Sequence, residues 1–309
     1  MTRSHTIKNL EQHIRAQGCL KPGETIPVVS RDELYNEERK AGYCVENDLI
    51  TVLSIHDCEW TSLPESMGEF KDLRELYLHN NKLISLPASI GNLTRLNTLD
   101  LGHNALEAIP NSFWDLRSLV FLYLSNNQLT SISHEIGNLD NLHYLNVTDN
   151  HLTSLPEEIR RLKNLKELRL YNNQLDSLPS TIGNLANLKE LHLMNNRLTS
   201  LPESIDGLLS LKELRLLNNK LASLPESIGN LQNLRYLELR NNQLQFVPES
   251  LGNLHHLTHL DLRANKLRSL PPSIEDLKSL EKLDLRWNRF ASIPDWIVGL
   301  EKQGCVVYR

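Results

Sequence analysis

Twelve histidines and four cysteines are the residues with which this chain could do metal or nucleophilic chemistry. The densest histidines are His143 and His151 and the adjacent pair His255 and His256. A zinc site needs several ligands at set spacings, and no matching Cys or carboxylate set accompanies these four, so they read as surface histidines. Cys19, Cys44, Cys58 and Cys305 form neither a C-x-x-C pair nor a disulfide-dense framework, and reduced thiols are the expected state. No phosphate loop, G-x-S-x-G elbow or H-E-x-x-H helix occurs. Catalysis needs a nucleophile beside a base, and no segment supplies that pairing. The expectation is a non-enzyme with no metal and no cofactor, whose chemistry is recognition.

The elements that would position recognition residues come from a repeat. LKELRLYNNQL begins at Leu165, LKELHLMNNRL at Leu188 and LKELRLLNNKL at Leu211, a period of 23 residues. The frame L-x-x-L-x-L-x-x-N-x-L recurs from positions 73, 96, 119, 142, 165, 188, 211, 234, 257 and 280. A degraded copy starts near Ile50, with Cys58 at the Asn position, and Val306 and Tyr308 begin a last one. Leu-x-Leu alternation makes a short strand with one apolar face. One such strand cannot bury that face alone, so neighbouring copies must stack and share a core. Pro follows an apolar residue in ten of eleven copies, from Pro64 to Pro294, with Ser133 the exception. Proline suits the first turn of a helix or an extended corner and is excluded from central strands.

This frame resembles the leucine-rich repeat over residues 50–309. Units such as Leu224-Pro225-Glu226-Ser227-Ile228-Gly229-Asn230-Leu231 resemble the subclass of intracellular Ras-associated scaffolds, plant intracellular Ras-group proteins and microbial repeat proteins. The resemblance implies an α/β repeat: a right-handed horseshoe solenoid, with a parallel sheet on the concave face and short helical or extended segments on the convex face. It implies that the Asn column, from Asn81 to Asn288, bonds the backbone of adjacent turns, and that Cys58 replaces it structurally. It also implies a protein partner, with a small GTPase or a signalling complex as first guess. Rival readings are the targeting module of a microbial effector or ubiquitin-ligase system, and a surface adhesion or structural protein.

Side chains between the frame leucines must face solvent, and there the copies differ. Phe121, Tyr123 and Tyr144 fall on neighbouring strands about 4.8 Å apart, with Tyr77 and Tyr171 further out. They form either an interface patch or aromatic stacking that stabilises the sheet. Arg169, His192 and Arg215 make a mildly basic column beside an apolar track of Tyr171, Met194 and Leu217. Arg240, Arg263 and Arg286 stack beside Glu238, Asp261 and Asp284, as a self-compensating lattice or as a partner-facing charge, with Trp287 on the rim. The repeated Lys166-Glu167, Lys189-Glu190 and Lys212-Glu213 read as a solvated ladder.

Residues 1–49 lie outside the repeat and read as a helical cap. Ile7, Leu10 and Ile14 have helical spacing, and Ser30-Arg31-Asp32-Glu33 has the form of a capping box for a second helix ending near Gly42. The solenoid of about eleven units occupies 50–302, and 303–309 would add a closing strand. The formal charge of -5 is spread along the chain, which excludes a nucleic-acid-binding block. No apolar run is long enough to span a membrane, and no signal-peptide core opens the sequence. A cytoplasmic location is expected.

Overall fold

The computed structural model describes residues 5–18, 20–34 and 40–309. Two compact units divide the chain, Met1–His151 and Leu152–Arg309.

The first unit opens with α1 (His5–Ala16), whose Ile7, Leu10 and Ile14 are fully buried as their spacing requires. Helix α2 (Arg31–Leu34) starts with the expected capping box. The Ser30 N–H donates to Glu33 Oε2 at 2.9 Å, and the Glu33 N–H returns to Ser30 Oγ at 3.3 Å. The second helix does not end near Gly42, because Gly42 belongs to strand β1 (Ala41–Glu46), which pairs antiparallel with β2 (Leu49–Ile55). Between them Asn47 and Asp48 both have positive φ, 50° and 64°. Such a two-residue turn matches the twist of a hairpin, and the Tyr43–Leu53 and Cys44–Val52 partners bury apolar residues that a helix would have splayed apart. From β2 onward the strands run parallel: β3 (Glu75–Tyr77), β4 (Thr98–Asp100), β5 (Phe121–Tyr123) and β6 (Tyr144–Asn146), with Leu53, Leu76, Leu99, Leu122 and Leu145 in register.

The second unit repeats this in β7 (Glu167–Arg169), β8 (Glu190–His192), β9 (Glu213–Arg215), β10 (Tyr236–Glu238), β11 (His259–Asp261) and β12 (Lys282–Asp284). Helix α3 (Ile297–Lys302) follows, and β13 (Val306–Tyr308) pairs parallel with β12. Each unit is an open, mostly parallel sheet of a leucine-rich-repeat solenoid.

One period shows how the stack is built. Leu188, Leu191, Leu193, Leu198, Ile205 and Leu208 are all fully buried, each gaining about 1.5–3 kcal/mol from leaving water. The segments after the prolines are 3-10 turns, such as Ala88–Asn92 and Glu226–Asn230, entered from an extended proline. At the Ser133 exception the hydroxyl accepts from the Glu135 N–H at 3.2 Å and starts the same turn. Successive turns pack backbone to backbone: a Cβ on Gly91 would lie 2.2 Å from the Ser112 carbonyl oxygen, so only glycine fits.

The Asn column is buried or half-buried, and its amides bond backbone of adjacent copies. Asn104 Nδ2 donates to the Leu78 and Leu101 carbonyls, both at 3.0 Å, and its Oδ1 accepts from the Leu83 N–H at 3.0 Å. Each amide thus satisfies two units at once, which offsets the cost of a polar group among leucines. Cys58 stands in the column without an amide, is buried, and donates its N–H to Asn81 Oδ1 at 3.1 Å.

A candidate protein-binding surface

Three side chains per strand project from the sheet, at frame positions three, five and seven. The residue after them turns the chain with left-handed backbone, φ between 53° and 60°, at Asn80, His103, Asn126 and Asp149 in the first unit. In the second unit Asn172, Asn195, Asn218, Asn241, Ala264 and Trp287 do the same. Asn and Asp tolerate this conformation because their short polar side chains bond locally. In the second unit they also form a ladder: Asn195 Nδ2 donates to Asn172 Oδ1, Asn218 to Asn195 at 2.6 Å, and Asn241 to Asn218 at 2.6 Å. Six of the ten copies show these positions in the sequence as a doubled Asn-Asn, the one visible signal of the turn.

In the first unit Tyr123 and Tyr144 meet with ring centroids 4.9 Å apart at 39°. Phe121 stands 41% exposed opposite Tyr144 in the register. Tyr77 does not join them. It packs against the cluster of Leu34, Cys44 and Val52, and its hydroxyl donates to Glu75 at 2.9 Å. Thr98 and Asp100 on β4 separate it from the patch.

In the second unit the column of Arg169, His192 and Arg215 is not a free basic stripe. Arg169 pairs with Glu167 and Arg215 with Glu213 at 2.8 Å, while His192 Nε2 lies 3.1 Å from Glu190. Each of these side chains therefore turns back on the glutamate two residues earlier, on the same side of its own strand. Those glutamates are half-buried and held by these side chains, while Lys166, Lys189 and Lys212 beside them are exposed as a solvated ladder requires. His192 is itself buried, and burial holds its pKa below the usual histidine value, with Arg215 and Arg169 adding to the effect against the bond from Glu190. Tyr171, Met194 and Leu217 form the expected track and are all half-buried.

The charged zone is a lattice at its end and open at its start. Arg263 reaches Asp261 at 3.2 Å and Asp284 at 3.8 Å, and Arg286 reaches Asp284 at 2.6 Å. Burial pushes the Asp284 carboxyl up, but the hydrogen bonds and charge of Arg286 more than reverse this and hold it low. Arg240 pairs with no carboxylate among the described residues. Trp287 is 71% exposed and lies between two guanidiniums, with Arg263 Cζ 5.7 Å and Arg286 Cζ 5.9 Å from its ring. Arg286 also covers Tyr308 at 4.8 Å, and Lys282 Nζ stands 5.4 Å from that ring. Tyr308 was readable only as a frame residue of the last copy; pairing of β13 with β12 makes it part of this cluster.

Of the histidines singled out by density, His256 Nδ1 lies 2.8 Å from the Gln232 carbonyl oxygen. Cys44, Cys58 and Cys305 are buried, and Cys19 lies outside the described residues. Burial raises the Cys44 thiol and pushes that of Cys305 up to about 11.

Comparison with known proteins places the chain. The family described as "Leucine-rich repeat region" matches residues 44–143 and 127–226, and that described as "Leucine rich repeat" matches 210–267 and 233–290. The chain belongs to the leucine-rich-repeat family. A leucine-rich-repeat protein of Leptospira interrogans is 32% identical over 91% of this chain and 86% of its own, with a TM-score of 0.61. The leucine-rich effector protein YopM of Yersinia pestis is 31% identical over 78% of this chain and 61% of its own, with a TM-score of 0.63. The Toll–Spatzle complex of Drosophila, at 24% identity, 82% of this chain, 37% of that one and a TM-score of 0.73, shares the fold alone. Comparison with proteins of curated function finds no match. Among the described residues no helix is long and apolar enough to cross a membrane.

Proposed function

We propose that this chain is a non-enzymatic scaffold that takes a protein partner on its sheet face, with Trp287 as an anchor. Binding of proteins is the general use of the leucine-rich-repeat fold. The observation that carries the proposal is the state of Trp287. A bulky residue in left-handed backbone costs of order 1–3 kcal/mol and persists where structure or function demands it. Here it places an indole 71% exposed to solvent between Arg263 and Arg286. Exposed Trp, Tyr and Arg are the residues from which interface hot spots are made. The unpaired Arg240 supplies the charge that would steer an acidic partner, and Phe121, Tyr123 and Tyr144 supply a further aromatic contact.

A small GTPase, or a signalling complex near one, is the partner class to test first, and a cytoplasmic location belongs to the same reading. The second reading, a targeting module of a microbial effector, is favoured by the 31% identity to a leucine-rich effector protein. Trp287→Ala combined with Arg240→Ala should leave the circular dichroism spectrum intact and abolish capture of purified small GTPases. Capture of host proteins with no GTPase among them would favour the effector reading. Capture equal to that of the parent chain would overturn the assignment of this surface.

A further inference from the structure

The rim of the first unit carries a second constellation. His56 and His79 occupy the seventh frame position of neighbouring copies, and their rings stack with centroids 4.5 Å apart at 13°. His56 Nδ1 lies 2.6 Å from Asp57 Oδ2, and His79 Nδ1 lies 3.5 Å from Asp100 Oδ2. One donor atom each from His56, Asp57 and His79 fall within 4.8 Å of one another. An ion bound at about 2.0–2.2 Å from each would require the two near-parallel rings to turn until their nitrogens converge on it.

Backbone geometry builds this arrangement. Asp57 sits in the left-handed turn, φ 53°, which lays its carboxylate beside His56. Gly102 follows His79 in the column, and a Cβ there would stand 3.2 Å from Asp100 Oδ1. The Gly102 N–H fixes that oxygen at 2.9 Å and leaves Oδ2 for His79. The Nδ1 atom of His79 is sealed from solvent and faces only the Asp100 carboxylate, which leaves Nε2 as the ring atom open to an ion.

We infer that His56, Asp57 and His79 bind a divalent transition-metal ion, Zn²⁺ by ligand type, with Asp100 as the carboxylate behind His79. Two imidazoles and a carboxylate are a zinc-type donor set with a position left for water. A carboxylate behind a ligating histidine orients the ring. Charge favours a cation as well, because no Lys or Arg pairs with Asp57 or Asp100 among the described residues. The other His-carboxylate group, Glu167, Glu190 and His192, lacks this property, since Arg169 and Arg215 flank it and hold Glu167 and Glu213. A bound ion would join the turn after β2 to the turn after β3.

Metal-stripped, tag-free chain titrated with Zn²⁺ by calorimetry and with Co²⁺ by visible absorption tests this. The expected result is one ion per chain, tetrahedral Co²⁺ bands and a higher Tm with Zn²⁺. Asp57→Asn keeps the shape and the left-handed preference of its position, so it should fold and bind at least tenfold more weakly, and Asp100→Asn should lose about 10–100-fold. His192→Ala should bind as the parent does. Absence of binding by the parent, parental affinity in both Asp variants, or equal loss in His192→Ala would overturn the site.

Discussion

The backbone N–H of Leu175 donates to Oδ1 of Asn196 at 3.0 Å, joining two residues 21 positions apart. The same side chain gives Nδ2 to the carbonyls of Leu170 at 3.0 Å and Leu193 at 3.1 Å. Asn196→Ala would leave a buried N–H and two carbonyls short of a partner, so a loss of about 1–3 kcal/mol is expected. Chemical denaturation measures it, and an unchanged midpoint would show that the column is not structural.

Leu191 is fully buried in register with Leu168 and Leu214. Leu191→Ala should cost about 2–5 kcal/mol through the cavity it leaves. Thermal unfolding checks this, and because the neighbours are held by their own copies, little collapse should soften the loss.

Trp287→Asn restores the residue type that holds the left-handed position at Asn172, Asn195, Asn218 and Asn241. It should raise stability by about 1 kcal/mol, by relief of backbone strain, while weakening partner capture. A variant that is less stable than the parent would mean that the stacking of Arg263 and Arg286 on the ring outweighs the strain.

Buried His192 makes stability depend on pH. Its folded pKa is below the unfolded value of about 6.5, by burial first and then by Arg215 and Arg169 against Glu190. Between the two values the unfolded chain binds more protons, so stability is full above pH 6.5 and is lost as pH falls below it. His192→Gln should flatten the Tm profile from pH 7 to pH 5.5, and an unaltered slope would assign the dependence elsewhere.

The buried thiols should be inert. With Cys305 at about 11 and Cys44 also raised, little thiolate exists near neutrality. A Cys19→Ser chain should react with a disulfide reagent only on unfolding; rapid reaction of the native chain would reopen a thiol-based activity.

The stack was legible because a strict 23-residue period fixes which residues are neighbours. Once Leu168, Leu191 and Leu214 share a register, the faces of Glu167, Arg169 and Tyr171 follow from strand alternation. Residues 41–49 lie before the first copy and had no period to lean on, so the first strand of a hairpin stood where a helix end was expected.

Sequence by itself determined the repeat, the buried leucines, the amide column and the list of side chains that face outward. Tertiary structure alone decided what those side chains do there. Whether Arg169 meets a partner or Glu167, whether His192 is open or covered, and whether His56 finds His79 depend on rotamers and neighbours a full copy away. A period sets backbone addresses to within one strand spacing, whereas charge pairing, burial and metal ligation are settled by ångström differences at the side-chain tips.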